Sequence, residues 1–260
     1  MTLFFSIRSY LQFLWNSKNQ HGVHSPFVFD LVTKCFYNKT VFSEYSILKD
    51  YRASLYSNEN LIQVTDFGAG SRIFKSNFRQ ISQIAKTAGI TPKRAELLFR
   101  IVKYFQPNSI LEIGTSLGLA TSALSVGSPN SKIISLEGCP NTFSQCQLQF
   151  QKFNINNVDS INVEFSKYFA QVLPSEVRQL IYLDGNHSQS ATLNYFELLL
   201  PTVSNESVWI FDDIHWSTDM ENAWNKIKSH PKVTVTIDTF QWGIVFFRAE
   251  QAKEHFVVRV

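Results

Sequence analysis

Ile110-Leu111-Glu112-Ile113-Gly114-Thr115-Ser116-Leu117-Gly118-Leu119-Ala120-Thr121 reads as a short apolar strand ending in an acid, a tight glycine turn and the start of a helix. At such a turn glycines let the backbone approach a ligand, and the helix N-terminus offers unpaired N–H groups to it. The spacing excludes two familiar readings. A G-x-G-x-x-G fingerprint starting at Gly114 would need glycine where Ser116 and Leu119 stand. A P-loop would need G-K-[ST], and Gly118 is followed by Leu119 and Ala120. What stands here is E-x-G-x-x-x-G.

Ser131-Lys132-Ile133-Ile134-Ser135-Leu136-Glu137 reads as the next strand, again ending in an acid. In nucleotide-type α/β folds a carboxylate one β-α unit after the glycine turn accepts hydrogen bonds from ribose hydroxyls, and Glu137 stands there. Together the two segments resemble the first motifs of the class I S-adenosylmethionine-dependent methyltransferases. The resemblance implies a Rossmann-like α/β fold, a seven-stranded sheet with an antiparallel last strand. It also implies S-adenosylmethionine as cofactor, held by Glu112, Gly114, Thr115, Ser116, Gly118, Glu137, Gly138, Ser166 and Asp184.

From Ser109 onward strands and helices alternate. Strands are expected near 109–113, 131–136, 160–165, 179–183, 206–212, 232–238 and 243–248, with helices near 118–126, 141–153, 166–173, 189–200 and 217–229. Such alternation gives a mainly parallel sheet covered by helices. The last two strands are joined by a short turn and should pair antiparallel.

Residues 1–108 look helical and irregular, and Thr91-Pro92 is an N-cap followed by a first-turn proline. The chain therefore divides into a mostly helical cap, 1–90, which selects the substrate, and a cofactor-binding domain, 91–260. Arg72, Lys75, Arg79, Lys86, Lys93, Arg94, Arg100 and Lys103 give this region a basic character, either a solvated helix face or a contact for an anion. Val64-Thr65-Asp66-Phe67-Gly68-Ala69-Gly70-Ser71 imitates a methyltransferase glycine motif. The following Ile81-Ser82-Gln83-Ile84-Ala85-Lys86 is helical and basic instead of a strand ending in an acid, so Asp66–Ser71 reads as a turn able to lie over the site. This segment and His21-Gly22-Val23-His24-Ser25-Pro26-Phe27 resemble a group of uncharacterised bacterial methyltransferases.

The 260 residues suffice for one full core plus an appendage, and a net charge of +3 does not by itself imply a nucleic-acid partner. Cys35, Cys139 and Cys146 are an odd set without C-x-x-C spacing, which favours a reducing compartment and a cytoplasmic protein. No apolar run approaches a membrane span. The apolar N-terminus is interrupted by Arg8 and has no small-residue cleavage site, so it reads as an amphipathic helix packed on its own protein. A homodimer is compatible with these features.

Leu180-Ile181-Tyr182-Leu183-Asp184-Gly185-Asn186-His187 ends one strand in an acid, and Trp209-Ile210-Phe211-Asp212-Asp213-Ile214-His215-Trp216 ends the next in two. Ligands bind at the carboxyl ends of parallel strands, and neighbouring strands lie about 5 Å apart, so Asp184, Asp212 and Asp213 are expected to converge. Clustered carboxylates need a positive neighbour. The candidates are a divalent cation such as magnesium or manganese on Asp184, Asp212 and Asp213, or the cofactor's own charge. These D-G-x-H and D-D-x-H-W segments resemble small-molecule O-methyltransferases, with Asp-Gly-Asn-His where the catechol-type branch has Asp-Ala-x-Lys. Asp184, His187 and His215 are the catalytic candidates, and a small molecule is the expected acceptor. The rivals are a nucleic-acid methyltransferase docked through the basic half and a non-catalytic cofactor-binding protein. No N-P-P-Y, D-P-P-Y or Pro-Cys motif supports the first.

Overall fold

The computed structural model describes residues 3–68, 74–171 and 176–260. The elements run α1 (Leu3–Asn16), α2 (Pro26–Leu31), α3 (Tyr45–Tyr56), β1 (Leu61–Gln63), β2 (Phe78–Gln80), α4 (Ile81–Thr87) and α5 (Pro92–Phe105). Then follow β3 (Ser109–Ile113), α6 (Leu119–Gly127), β4 (Lys132–Glu137), α7 (Pro140–Lys152), β5 (Val158–Asn162) and α8 (Phe165–Gln171). The last part holds β6 (Leu180–Leu183), α9 (Gln189–Leu199), β7 (Val208–Asp212), α10 (Thr218–Ser229), β8 (Val235–Asp238), β9 (Trp242–Phe246) and β10 (Glu254–Val257). Ala69, Gly70, Ser71 and Arg72 of the second glycine-rich stretch lie outside the described residues, as does the expected end of the helix at 172–173.

Two compact units divide the chain, Lys39–Val172 and Met1–Asn38 with Leu173–Val260. In the first, β3, β4 and β5 pair in parallel, with Glu112 opposite Ser135 and Glu137 opposite Asn162. Thr91 caps α5 as expected, its hydroxyl accepting the Arg94 N–H, with Pro92 in the first turn. The segment after the second glycine stretch is helical, α4, so that stretch does not open a second nucleotide-type unit. One correction concerns strands: β1 and β2 form a short antiparallel hairpin, with Ile62 opposite Arg79, in a region expected to be helical and irregular.

In the second unit β6 and β7 are parallel and wholly buried, as strands covered on both faces must be. Antiparallel β9 lies between β7 and β8. This is the single reversed strand expected of the Rossmann-like methyltransferase sheet. The larger sheet has eight strands, one more than expected, because β10 adds in parallel to β8. Residues 3–38 are built into this unit. Lys18 bridges Val258, the Ser25 hydroxyl donates to Gln251, the Tyr37 hydroxyl donates to the Arg259 carbonyl, and Phe27 meets Phe246 edge-on. Ser188 and Ser217 cap α9 and α10. All three cysteines are buried.

Candidate active site

The glycine turn after β3 has left-handed backbone at Gly114 (φ 104°), Ser116 (φ 49°) and Gly118 (φ 78°). Gly118 serves packing as well as conformation. A Cβ there would lie 2.8 Å from both Cys146 Sγ and Phe150 Cε1 and closer still to the Tyr51 hydroxyl, which donates to the Leu117 carbonyl. The Gly114 and Thr115 N–H groups both donate to the Leu136 carbonyl at 3.0 Å, fastening the turn to β4.

Glu137 closes the arrangement. Its Oε2 accepts the Ser116 N–H at 2.8 Å and its Oε1 accepts the Cys139 N–H at 2.8 Å. An ionised carboxylate has about four acceptor sites, so each oxygen keeps capacity for a hydroxyl donor. Asn162, one strand over, donates to the Glu137 and Gly138 carbonyls. Burial raises the Glu137 carboxyl above its ordinary value despite the N–H donors, which pull it down.

Glu112 is fully buried behind the turn. Its Oε2 accepts the Thr121 hydroxyl at 2.6 Å and the Ser135 hydroxyl, while its Oε1 is buried with no hydrogen-bond partner. Burial raises its carboxyl to about 7, against the hydrogen bonds from Ser135 and Thr121, with the nearby Glu137 charge adding to the rise. An unpaired buried carboxylate oxygen suits a cationic or N–H-bearing ligand, and the open capacity of Glu137 suits vicinal hydroxyls. S-adenosylmethionine carries both kinds of group, so the residues fit it.

The segment after β1 runs along the same turn. Thr65 N–H donates to Cys139 Sγ at 3.3 Å and Asn141 donates to the Gln63 carbonyl at 2.8 Å. The Phe67 ring lies so near Gly138 that a Cβ there would be 2.8 Å from it. Ser166 is engaged elsewhere, its exposed hydroxyl donating to Glu164.

Asp184 follows β6 directly and Asp212 ends β7; the register sets Leu183 beside Phe211, so both acids emerge at neighbouring strand ends. Asp184 is half-buried, with His187 Nε2 at 3.5 Å from its Oδ1, and the His187 ring leans on Trp216. Asp212 is buried and accepts the Tyr182 hydroxyl at 2.7 Å and the Asp213 N–H at 2.7 Å. Asp213 has a left-handed backbone (φ 54°). The cap of α10 is Ser217, so neither aspartate supplies it. Among the described residues no three His, Cys, Asp or Glu side chains are grouped to hold a metal ion. Asp184, Asp212 and Asp213 therefore form no such group, and no chemistry is routed through a metal there.

His215 has both ring nitrogens engaged, Nδ1 at 2.9 Å from Glu221 and Nε2 at 2.8 Å from Asp238, and its ring stacks on Phe240. Burial alone would lower its pKa, but the hydrogen bonds and charges of Asp238 and Glu221 outweigh it and raise the value. His215 therefore favours an imidazolium between two carboxylates. Thr121 and Ser135 hold Glu112, and Asp238 and Glu221 hold His215; the motifs alone do not point to these partners. Ser135 left a signal, a polar residue on a buried strand in register with Glu112.

Several basic residues of the N-terminal half face partners in their own unit. Arg79 pairs with Asp66 and lies over Phe74, Lys86 lies over Tyr56, and Lys103 reaches Glu44, Phe42 and Phe99.

Residues 111–214 match a family model described as a methyltransferase domain. Solved structures share the fold over nearly the whole of their own chains. An O-methyltransferase from Bacillus cereus in complex with SAH is 16% identical, covering 82% of this chain and 94% of that one, with a TM-score of 0.55. An SAH-bound methyltransferase from Podospora anserina is 12% identical over 87% and 97%, with a TM-score of 0.59. The O-methyltransferase TomG from Streptomyces achromogenes, in complex with SAM, is 11% identical over 84% and 95%, with a TM-score of 0.57. No curated protein matches the sequence. The chain shares its fold with these solved methyltransferases, and residues 111–214 match the methyltransferase-domain family model.

Proposed function

We propose that this chain is an S-adenosylmethionine-dependent methyltransferase that methylates an oxygen of a small-molecule acceptor. The observation that carries the reading is Glu137, gripping Ser116 N–H and Cys139 N–H with one oxygen each while both oxygens retain acceptor capacity for a ribose diol. Glu112 offers its unpaired oxygen to the same ligand. Gly114, Thr115, Ser116, Gly118 and Gly138 shape the turn that receives it.

The cofactor supplies an electrophilic methyl group. The chain must orient the acceptor and take its proton, because a phenolic hydroxyl has a pKa near 10. His187 with Asp184 is the better candidate for that base. His215 lacks a free nitrogen, both being held by carboxylates. We assign acceptor selection to the N-terminal cap, residues 1–90, which contributes residues 3–38 to one unit and 39–90 to the other.

Calorimetry with S-adenosylhomocysteine tests the reading. The wild type should bind, and Glu137→Ala should lose about 1–3 kcal/mol through the unsatisfied partners it leaves. A phenol and catechol screen with S-adenosylmethionine should give turnover that persists in chelator and falls in His187→Ala. Absent binding by the wild type rejects the proposal; turnover that stops in chelator rejects the metal-free base.

A further inference from the structure

Helix α1 turns only a narrow side inward. Ser9 and Phe13 are buried, Ser9 donating to Glu221 at 2.8 Å and Phe13 packing on Phe240. Ile7, Leu11 and Trp15, spaced four residues apart and so stacked on one helical face, are 50%, 59% and 90% exposed. The adjoining Tyr10 touches Phe240 yet is 46% exposed. The larger apolar face of the helix thus points away from the unit that holds it. Contiguous apolar surface of this kind marks a binding site.

The charge along this segment selects the occupant. From Leu3 to Phe29 the chain has no Asp or Glu, while Arg8 borders the apolar stripe and Lys18 follows the helix. We propose that α1 lies in the plane of an anionic lipid surface, with Ile7, Leu11 and Trp15 at the headgroup–acyl boundary and Arg8 and Lys18 against the headgroups. An apolar face with a basic margin and a tryptophan is the composition that suits this interface. At 14 residues α1 is too short to span a bilayer, so it rests on the surface. A second copy of the chain is the poorer fit. It would bring the same basic margin against itself, and the stripe's few side chains fall far short of the roughly 20–30 residues a side in a standard interface.

Co-sedimentation of the full chain with vesicles tests this independently of any methyltransferase assay. The protein should pellet with phosphatidylcholine vesicles containing phosphatidylglycerol and stay in solution with phosphatidylcholine alone, and binding should weaken as salt is raised. Leu11→Gln with Trp15→Gln should reduce binding about tenfold or more, and Arg8→Gln by about fivefold. Both residues are exposed, so the melting temperature of the double variant should match the wild type. Trp209, Trp224 and Trp242 are buried. Trp216 is partly exposed, so the Trp15 component of iodide quenching is the difference between wild type and Trp15→Gln, and anionic vesicles should suppress that component. Wild-type protein that remains in solution with both vesicle types overturns the proposal. So does equal binding by the double variant, or a dimer in sedimentation velocity that Leu11→Gln with Trp15→Gln dissociates.

Discussion

Glu112 and His215 are both buried ionisable groups, and both have folded-state pKa values above their ordinary ones, by different routes. For Glu112 the cause is mainly burial, so the fold prefers the neutral acid. A raised value means the folded state holds the proton longer than the unfolded chain. Stability without cofactor should then fall as pH rises from about 4.5 through about 7. Glu112→Gln keeps an acceptor for Thr121 and Ser135 and removes this titration. Its unfolding free energy from urea titration should match the wild type near pH 4 and exceed it at pH 8 by on the order of 2–3 kcal/mol. A wild type that remains the more stable at pH 8 would sink the assignment. His215 has the same sign of linkage. Its contribution is full below about pH 6.5, the unfolded value, and declines as pH climbs through the raised folded value. His215→Gln removes the cation that bonds both Asp238 and Glu221, leaving only the Lys228 charge nearby, and should cost about 1–3 kcal/mol near pH 6. Thermal melts should show that deficit shrinking toward pH 9.

At the scale of elements, the turn between β3 and α6 shows why spacing in the chain is informative and what it leaves out. E-x-G-x-x-x-G marked two of the three left-handed positions, Gly114 and Gly118, because glycine adopts them freely, while Ser116 takes the third without a glycine to signal it. The crowding of Gly118 by Tyr51, Cys146 and Phe150 comes from other helices and has no trace in the motif. Gly118→Ala should therefore destabilise the protein by about 2–4 kcal/mol, from φ strain plus overpacking. A chemical-denaturation midpoint within error of the wild type would refute that account. Strands of the alternating part were legible because β6, β7 and β9 are buried on both faces and read as apolar runs. The elements that escaped reading are β1, β2 and β10, three or four residues each, with few buried side chains. Polar edge strands owe their conformation to the neighbour they pair with, such as β8 beside β10. The catalytic candidates were legible as acids and histidines at strand ends. Which histidine keeps a free nitrogen depends on Asp238 and Glu221, placed by separate elements.

At the scale of the molecule, the N-terminal segment is structural in a way that its position in sequence conceals. Residues 3–38 belong to the unit formed by the last part of the chain, and Val28, Leu31 and Val32 are fully buried, with Cys35 and Phe36 nearly so. Each large apolar side chain so buried contributes about 1.5–3 kcal/mol, and several together rival the 5–15 kcal/mol that holds a typical domain folded. Removing residues 1–38 should therefore leave a chain that aggregates or binds the dye ANS without a cooperative melt. Removing only residues 1–16 deletes Phe13 and the Ser9–Glu221 hydrogen bond but leaves that apolar cluster in place. This shorter deletion should melt cooperatively at a lower temperature and still bind S-adenosylhomocysteine. Calorimetric scans of the two truncations separate the cases, and a cooperative, wild-type-like melt after loss of all 38 residues would show that the segment is dispensable to the fold.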